Sequence, residues 1–257
     1  MNHEQRTIIE TPASFPPGWK VEHIASRGYD SPDCALVATH LRYADCIIHT
    51  GRYATPANME ALRCEAWLRH PKIRTIFLDV DEVLANWVGA MLTLLGRDPV
   101  EVHAHWDTLS PRPWDVLAVL GESGNAMWRA IDAAGADFWH DVEPFPWCHD
   151  LFAACRSVAP TYLLTSPSLH PSSLAGKLAW MQRQFGRDFR DYLVGPAKHS
   201  CAHPNALLID DSPHNCEKFI AHGGHAIVFP GVGNDLHHVA PSERVAYVTE
   251  QLKGYRT

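Results

Sequence analysis

Four short apolar runs set the frame of this chain: TIFLDV at 75–80, PTYLLT at 160–165, ALLID at 206–210 and AIVF at 226–229. They are too continuous for half-exposed strands, and stretches with helical spacing separate them at 150–157, 174–184 and 215–222. Buried strands alternating with helices predict an α/β fold with a parallel sheet covered on both faces. The gap between the first two runs is much longer than the others. Helical spacing over 87–95, 99–106, 114–120 and 125–134, punctuated by Gly and Pro, predicts a mainly helical insert across 86–145.

The first 70 residues read differently. Pro12, Pro16 and Pro17 predict a loose arm up to about residue 20. Strands are expected at Lys20–Ser26 and Ala44–Thr50, and a helix at Asn58–Leu68. The expected organisation is an N-terminal α/β extension over 1–70 with no assignable chemistry, a core from 71–85 and 146–257, and the helical insert of 86–145.

With 257 residues, 46% hydrophobic, the chain suffices for one large domain or a core with an insert. A formal net charge of −7 argues against a nucleic-acid polymer as partner, but permits one phosphate in a local basic pocket. No apolar run approaches the roughly 20 residues of a membrane span, and MNHEQRTIIETPASFPPGW lacks the apolar core of a signal peptide. Seven cysteines without a CxxC pair read as free thiols of a reducing cytosol, so a cytoplasmic protein is expected. The 17 histidines show no HExxH or Cys/His metal spacing and read as surface or packing residues.

Three of the strand candidates end in reactive side chains. The first ends in Asp79 and Asp81, the second in Thr165 and Ser166, the third in Asp210 and Asp211. In open parallel sheets ligands bind outside the carboxyl ends of strands, so the three ends are expected to meet in one crevice. Up to four carboxylates there need a counter-ion, since repulsion would otherwise neutralise some of them. Hard carboxylate oxygens suit Mg²⁺, which often binds beside a substrate phosphate. Thr165 and Ser166 offer hydroxyl donors to that phosphate, and Lys198 or Lys177 a positive charge.

DVDEVLAN, LLTSPS, Lys198 and LLIDD, in this order, resemble the four motifs of the haloacid dehalogenase (HAD) superfamily, and most closely its 5'(3')-deoxyribonucleotidase branch. FWHDVEPFPW and the KLAW stretch extend the likeness over roughly residues 74–230, leaving residues 1–70 outside it. The resemblance implies a Rossmann-like core with a small helical cap and a Mg²⁺-dependent phosphatase whose substrate is a small phosphorylated molecule, a nucleoside monophosphate. It implies that Asp79 attacks phosphorus to give an aspartyl-phosphate, while Asp81 acts first as acid and then as base. Asp79, the backbone carbonyl of Asp81, and Asp210 would hold the metal, with Asp211 orienting ligands behind them. Thr165, Ser166, Lys198 and Lys177 would hold the phosphate; Phe138, Trp139 and Trp87 would pack on a base, Trp87 as a pocket floor.

Two positions depart from the branch. Glu82 stands where it has Gly, so the turn is expected to differ and an added carboxylate to oppose an anionic substrate. Asn86 replaces its acid, with an effect expected in the base or sugar pocket. Both leave room for a HAD phosphatase of a non-nucleotide ester, and loss of turnover would leave a nucleotide-binding module. Plainer roles exist as well: helix caps for Asp79, Asp81, Asp210 and Asp211, a turn for Thr165-Ser166-Pro167, surface positions for Lys198 and Lys177, and core packing for the tryptophans. The assembly, a homodimer among the options, is not written in the sequence.

Overall fold

A computed structural model of the chain describes residues 5–12, 15, 19–25, 35–40, 47–50, 53–69, 73–122 and 124–255. The chain divides into two compact units, one built on the first 72 residues and one spanning Ile73–Leu252.

The first unit is an antiparallel sheet of β1 (Gln5–Ile9), β2 (Trp19–Ala25), β3 (Ala35–His40) and β4 (Ile47–Thr50), in that spatial order, with α1 (Pro56–Arg69). Trp19 and Val21 of β2 and Leu36 and Ala38 of β3 alternate inward and form a core with Phe15, Leu62 and Ala66. The expected loose arm is therefore wrong over residues 5–9, which pair with β2 from Gln5↔Ala25 to Ile9↔Val21. The prolines all follow this β-branched run, so none removes a donor from its ladder. ALVATH, outside the expected elements, is strand β3. Ser26 and residues 44–46 of the expected strands lie outside the described residues.

The second unit carries the parallel sheet. Its strands are β5 (Thr75–Leu78), β6 (Thr161–Thr165), β7 (Tyr192–Val194), β8 (Ala206–Asp210) and β9 (His225–Val228), in the spatial order β7-β6-β5-β8-β9. β5 lies at the centre, paired with β6 and β8. β7 was not foreseen; YLV is too short to show a period.

Between β5 and β6 lies the helical insert: α2 (Trp87–Leu94), α3 (Pro99–Trp106), α4 (Val116–Leu120) and α5 (Gly124–Asp141). Its core joins Val88, Met91, Leu92, Trp106, Ile131 and Trp139. The expected helix at 125–134 continues to Asp141 through a kink at Gly135 (φ 71°, ψ −146°). Gly135 bends the helix instead of ending it, and buried Trp139 lies in the part beyond the bend. α4 begins at Val116 rather than Trp114, since the Asp115 side chain caps it by accepting from Leu117 N at 2.9 Å.

The insert enters and leaves the core at one place. Ala85 bridges Pro144, Asn86 N donates to Glu143 O at 2.9 Å and Phe145 N to Leu84 O at 2.8 Å. The core helices are α6 (Cys148–Val158), α7 (Ser172–Phe185), α8 (Pro213–Ala221) and α9 (Arg244–Lys253). α7 lies against α5 so closely that a Cβ on Gly176 would stand 2.3 Å from Ala136 O. Among the described residues no helix is long and apolar enough to cross a membrane, and Cys64, Cys148, Cys155, Cys201 and Cys216 are free thiols.

Candidate active site

The register of the sheet builds the site. Leu78 pairs with Ile209 and with Leu163. Asp79, the next residue, therefore emerges beside Asp210, with Thr165 just beyond on the other neighbour. Asp79 N donates to Ile209 O at 2.9 Å, fixing the start of the loop. Asp79, Asp210 and Asp211 each bring a carboxylate oxygen within 4.8 Å of the others. Among the described residues no histidine or cysteine joins such a group.

Buried Lys198 sits in the 3₁₀ turn Lys198–Cys201 and faces two of these acids. Its Nζ is 2.6 Å from Asp79 Oδ1 and donates to Asp210 Oδ2 at 2.7 Å. Asp210 also accepts from Ser212 N at 2.9 Å and from Asn215 Nδ2 at 3.1 and 3.2 Å. Every oxygen of this fully buried carboxylate thus has a partner, as burial requires. Burial pushes the Asp79 carboxyl up to about 7; Lys198 pulls the other way, and Asp210 and Asp81 push further up. Burial, with Asp210, Asp79 and Glu82 nearby, likewise holds Asp211 well above the ordinary carboxylate range. Burial opposes the Lys198 charge, but Asp79 and Asp210 outweigh it and raise its pKa.

A second cation serves the other side. Buried Lys177 of α7 donates to Asp81 Oδ2, donates to Thr165 Oγ1 at 3.0 Å, and lies 4.8 Å from the centre of the Trp139 ring. A surface position for either lysine is overturned: Lys177 is 3% exposed and Lys198 4%. Burial of a lysine is costly without an anion, and each here has one.

Two sizeable cavities are among those lined by Asp81. One, of about 670 Å³, is lined by Asp81, Trp87, Trp128, Asp132, Trp139 and Ser166, with residues 167–170 at its edge. Trp87 and Trp139 stack with ring centres 6.4 Å apart. Their indole N–H groups are buried without a partner. The other cavity, of about 200 Å³, exposes Asp79, Asp81, Glu82 and Asp211 beneath Trp114 and Asp115 of the insert. Arg112 ties the insert to the core on this side, donating to Val232 O from Nη2 at 2.8 Å.

Most residues singled out in the sequence come together here, but Phe138 and Asn86 do not. Both line a separate cavity of about 480 Å³ with Asp137, Asp141 and Glu143. Asn86 is the cap of α2, accepting from Gly89 N at 3.0 Å. Its expected effect on a base or sugar pocket is not what this placement provides. Glu82 has the left-handed backbone that a glycine favours, with φ 59°. Its Oε1 accepts from Val88 N at 2.7 Å. Burial raises its pKa to about 7, against the pull of the Val88 bond.

Sequence reasoning missed Asn215 and Asn234. Asn215 lies in the first turn of α8, where a polar side chain points back at the acids before the helix. Asn234 donates to Asp211 O and Phe229 O, both at 2.8 Å, and holds the loop after β8. Its signal is weak, a lone Asn in a Gly-rich stretch.

Comparison with known proteins gives the following. The model of a family described as "5' nucleotidase, deoxy (Pyrimidine), cytosolic type C protein" matches residues 72–253. No curated protein matches the chain. Similar solved structures include a haloacid dehalogenase-like family hydrolase from Xanthomonas campestris (14% identity, covering 72% of this chain and 94% of that one, TM-score 0.44). Another is the HAD-hydrolase YfnB from Bacillus subtilis, bound to magnesium (13%, 70% and 99%, TM-score 0.46).

Proposed function

The chain belongs to this cytosolic type C 5'-nucleotidase family of HAD-type phosphatases, and from that premise we propose that it hydrolyses a nucleoside monophosphate through an aspartyl-phosphate on Asp79 with Mg²⁺ bound. The observation that carries the reading is the meeting of Asp79, Asp210, Asp211 and Lys198 at the carboxyl ends of two adjacent strands.

The donor set fits Mg²⁺. It offers hard carboxylate oxygens within 4.8 Å of one another, with buried Lys198 as the cation facing Asp79 and Asp210. Asp79, Asp210 and the carbonyl of Asp81, which no described N–H reaches, would hold the ion, with Asp211 behind them. Bound there, Mg²⁺ supplies Lewis-acid stabilisation of charge on the phosphoryl oxygens.

Asp79 is the nucleophile because it combines a cavity-facing carboxylate with a fixed backbone. Lys198 steadies it and the phosphoryl charge. Asp81 gives a proton to the leaving ester oxygen and later takes one from the attacking water. In the structure Lys177 neutralises Asp81. The Lys177 ammonium, held between Asp81 and Thr165, also lies where it can meet an incoming phosphate oxygen. Thr165 and Ser166 complete the phosphate site. The larger cavity, walled by Trp87 and Trp139, receives the leaving group, and its aromatic faces favour a nucleobase. The insert acts as the cap that excludes bulk water.

Purified protein with Mg²⁺ is expected to release phosphate from a panel of deoxynucleoside monophosphates, and the Asp79→Asn variant to release none. Release from sugar phosphates alone would replace the nucleotide with a non-nucleotide ester; binding without any turnover would leave a silent module.

A further inference from the structure

Glu82 occupies a position where backbone and side chain both cost free energy. Among the described residues other than glycine it alone has φ in the left-handed region, at 59°, where a Cβ crowds the neighbouring carbonyl. It also carries a carboxyl group on a residue only 9% exposed. A left-handed outlier at a functional loop points to a role for its side chain.

That side chain holds backbone N–H groups at the start of α2. Its Oε1 accepts from Val88 N at 2.7 Å. Val88 lies in the first turn of α2, where backbone N–H groups have no partner within the helix and the helix dipole favours an acceptor anion. Asn86 takes the next N–H, that of Gly89. A Cβ at 89 would stand 2.5 Å from Asn86 Nδ2, so it would displace this cap. The two caps differ in where they are attached. Asn86 adjoins the helix it caps and travels with it. Glu82 belongs to the core loop, next to Asp81 and on the core side of the Ala85–Pro144 bridge. Its bond to Val88 therefore crosses the junction through which the insert joins the core. Trp87, the first residue of α2 and next to Asn86, lines the two sizeable cavities at Asp81.

We propose that Glu82 is a positioning residue, a latch across this junction that fixes the start of α2, and with it Trp87, against Asp81. The leaving-group cavity is thereby formed before substrate arrives. The inference rests on the phosphatase reading only for its kinetic consequence; the latch itself is a property of the protein without substrate.

Two variants separate the outcomes. Glu82→Gly suits the left-handed backbone and removes the latch, so it folds. Glu82→Gln keeps an acceptor oxygen at the same reach. Amide hydrogen exchange at Val88 is expected to quicken about tenfold in Glu82→Gly and to return to within about threefold of the parent in Glu82→Gln. For the nucleotide that the parent enzyme hydrolyses best, KM is expected to rise about tenfold in Glu82→Gly with kcat within about threefold, and Gln to restore it. Unchanged Val88 exchange in Glu82→Gly overturns the proposal, as does a fall in kcat at constant KM, or a Gln variant no better than Gly. If the parent protein turns over no nucleotide, the functional reading fails on its own, while the exchange experiment still decides the latch.

Discussion

The Lys198 ammonium stands 2.6 Å from Asp79 Oδ1 and 2.7 Å from Asp210 Oδ2, with all three groups buried. Removing it leaves two carboxylates facing each other without a counter-charge, and breaking a buried pair in this way costs about 3–5 kcal/mol. Lys198→Ala is expected to lose stability of that order in urea denaturation of metal-free protein, and to recover part of it with Mg²⁺. A midpoint equal to the parent's would show that the pair contributes little.

The acids also set a pH dependence. Burial lifts the folded-state pKa of Asp79 and of Glu82 to about 7. A folded state that holds protons the unfolded chain has released is stabilised fully below the ordinary carboxylate pKa. That stabilisation is lost as pH rises from about 4 to about 7. Thermal melts in EDTA are expected to show Tm falling through this window, and the Tm gain from Mg²⁺ growing with pH as Asp79 becomes ionised. A metal-free Tm that rises over the same range would contradict the assignment.

Trp87 and Phe138 are placed in different cavities, and only that of Trp87 reaches Asp81. Stacking of a base on an aromatic is worth about 1–3 kcal/mol. Trp87→Leu is therefore expected to raise KM for a nucleotide about tenfold or more, and Phe138→Leu to change it less than about threefold. Steady-state kinetics of the two variants check this; equal effects would remove Trp87 from the leaving-group pocket.

Gly176 lets α7 approach the α5 backbone, where a Cβ would stand 2.3 Å from Ala136 O and 2.5 Å from Trp139 Cβ. Overpacking of this kind costs typically 1–3 kcal/mol. Gly176→Ala is expected to lower stability by about that amount and to raise KM through displacement of Trp139. Chemical denaturation and kinetics together test it.

What was legible in the chain followed from continuous patterns. The apolar runs at 75–80, 160–165, 206–210 and 226–229 gave the central strands, and their polar ends gave the acids and Thr165. Asp79 and Asp210 meet because parallel strands in register end side by side. Partnerships across the fold were not legible. Lys177 of α7 pairs with Asp81 in the loop after β5, 96 residues away in the chain, and no local spacing encodes that. Phe138 and Trp139 are neighbours in sequence, yet in α5 they point to different cavities. The cap formed by Glu82 was hidden because its role depends on a turn whose φ the sequence does not state. In the first unit Gln5–Ile9 was lost to the prolines after it, though its Thr-Ile-Ile run favours a strand.

The account stands on Asp79 as the atom-level acceptor of the phosphoryl group. The most direct measurement is acid quenching of the enzyme during turnover of a radiolabelled deoxynucleoside monophosphate with Mg²⁺, followed by peptide mapping. The account predicts label on the peptide containing residue 79, removed by hydroxylamine and absent in Asp79→Asn. Label-free protein under rapid turnover, or label that persists in Asp79→Asn, would contradict it.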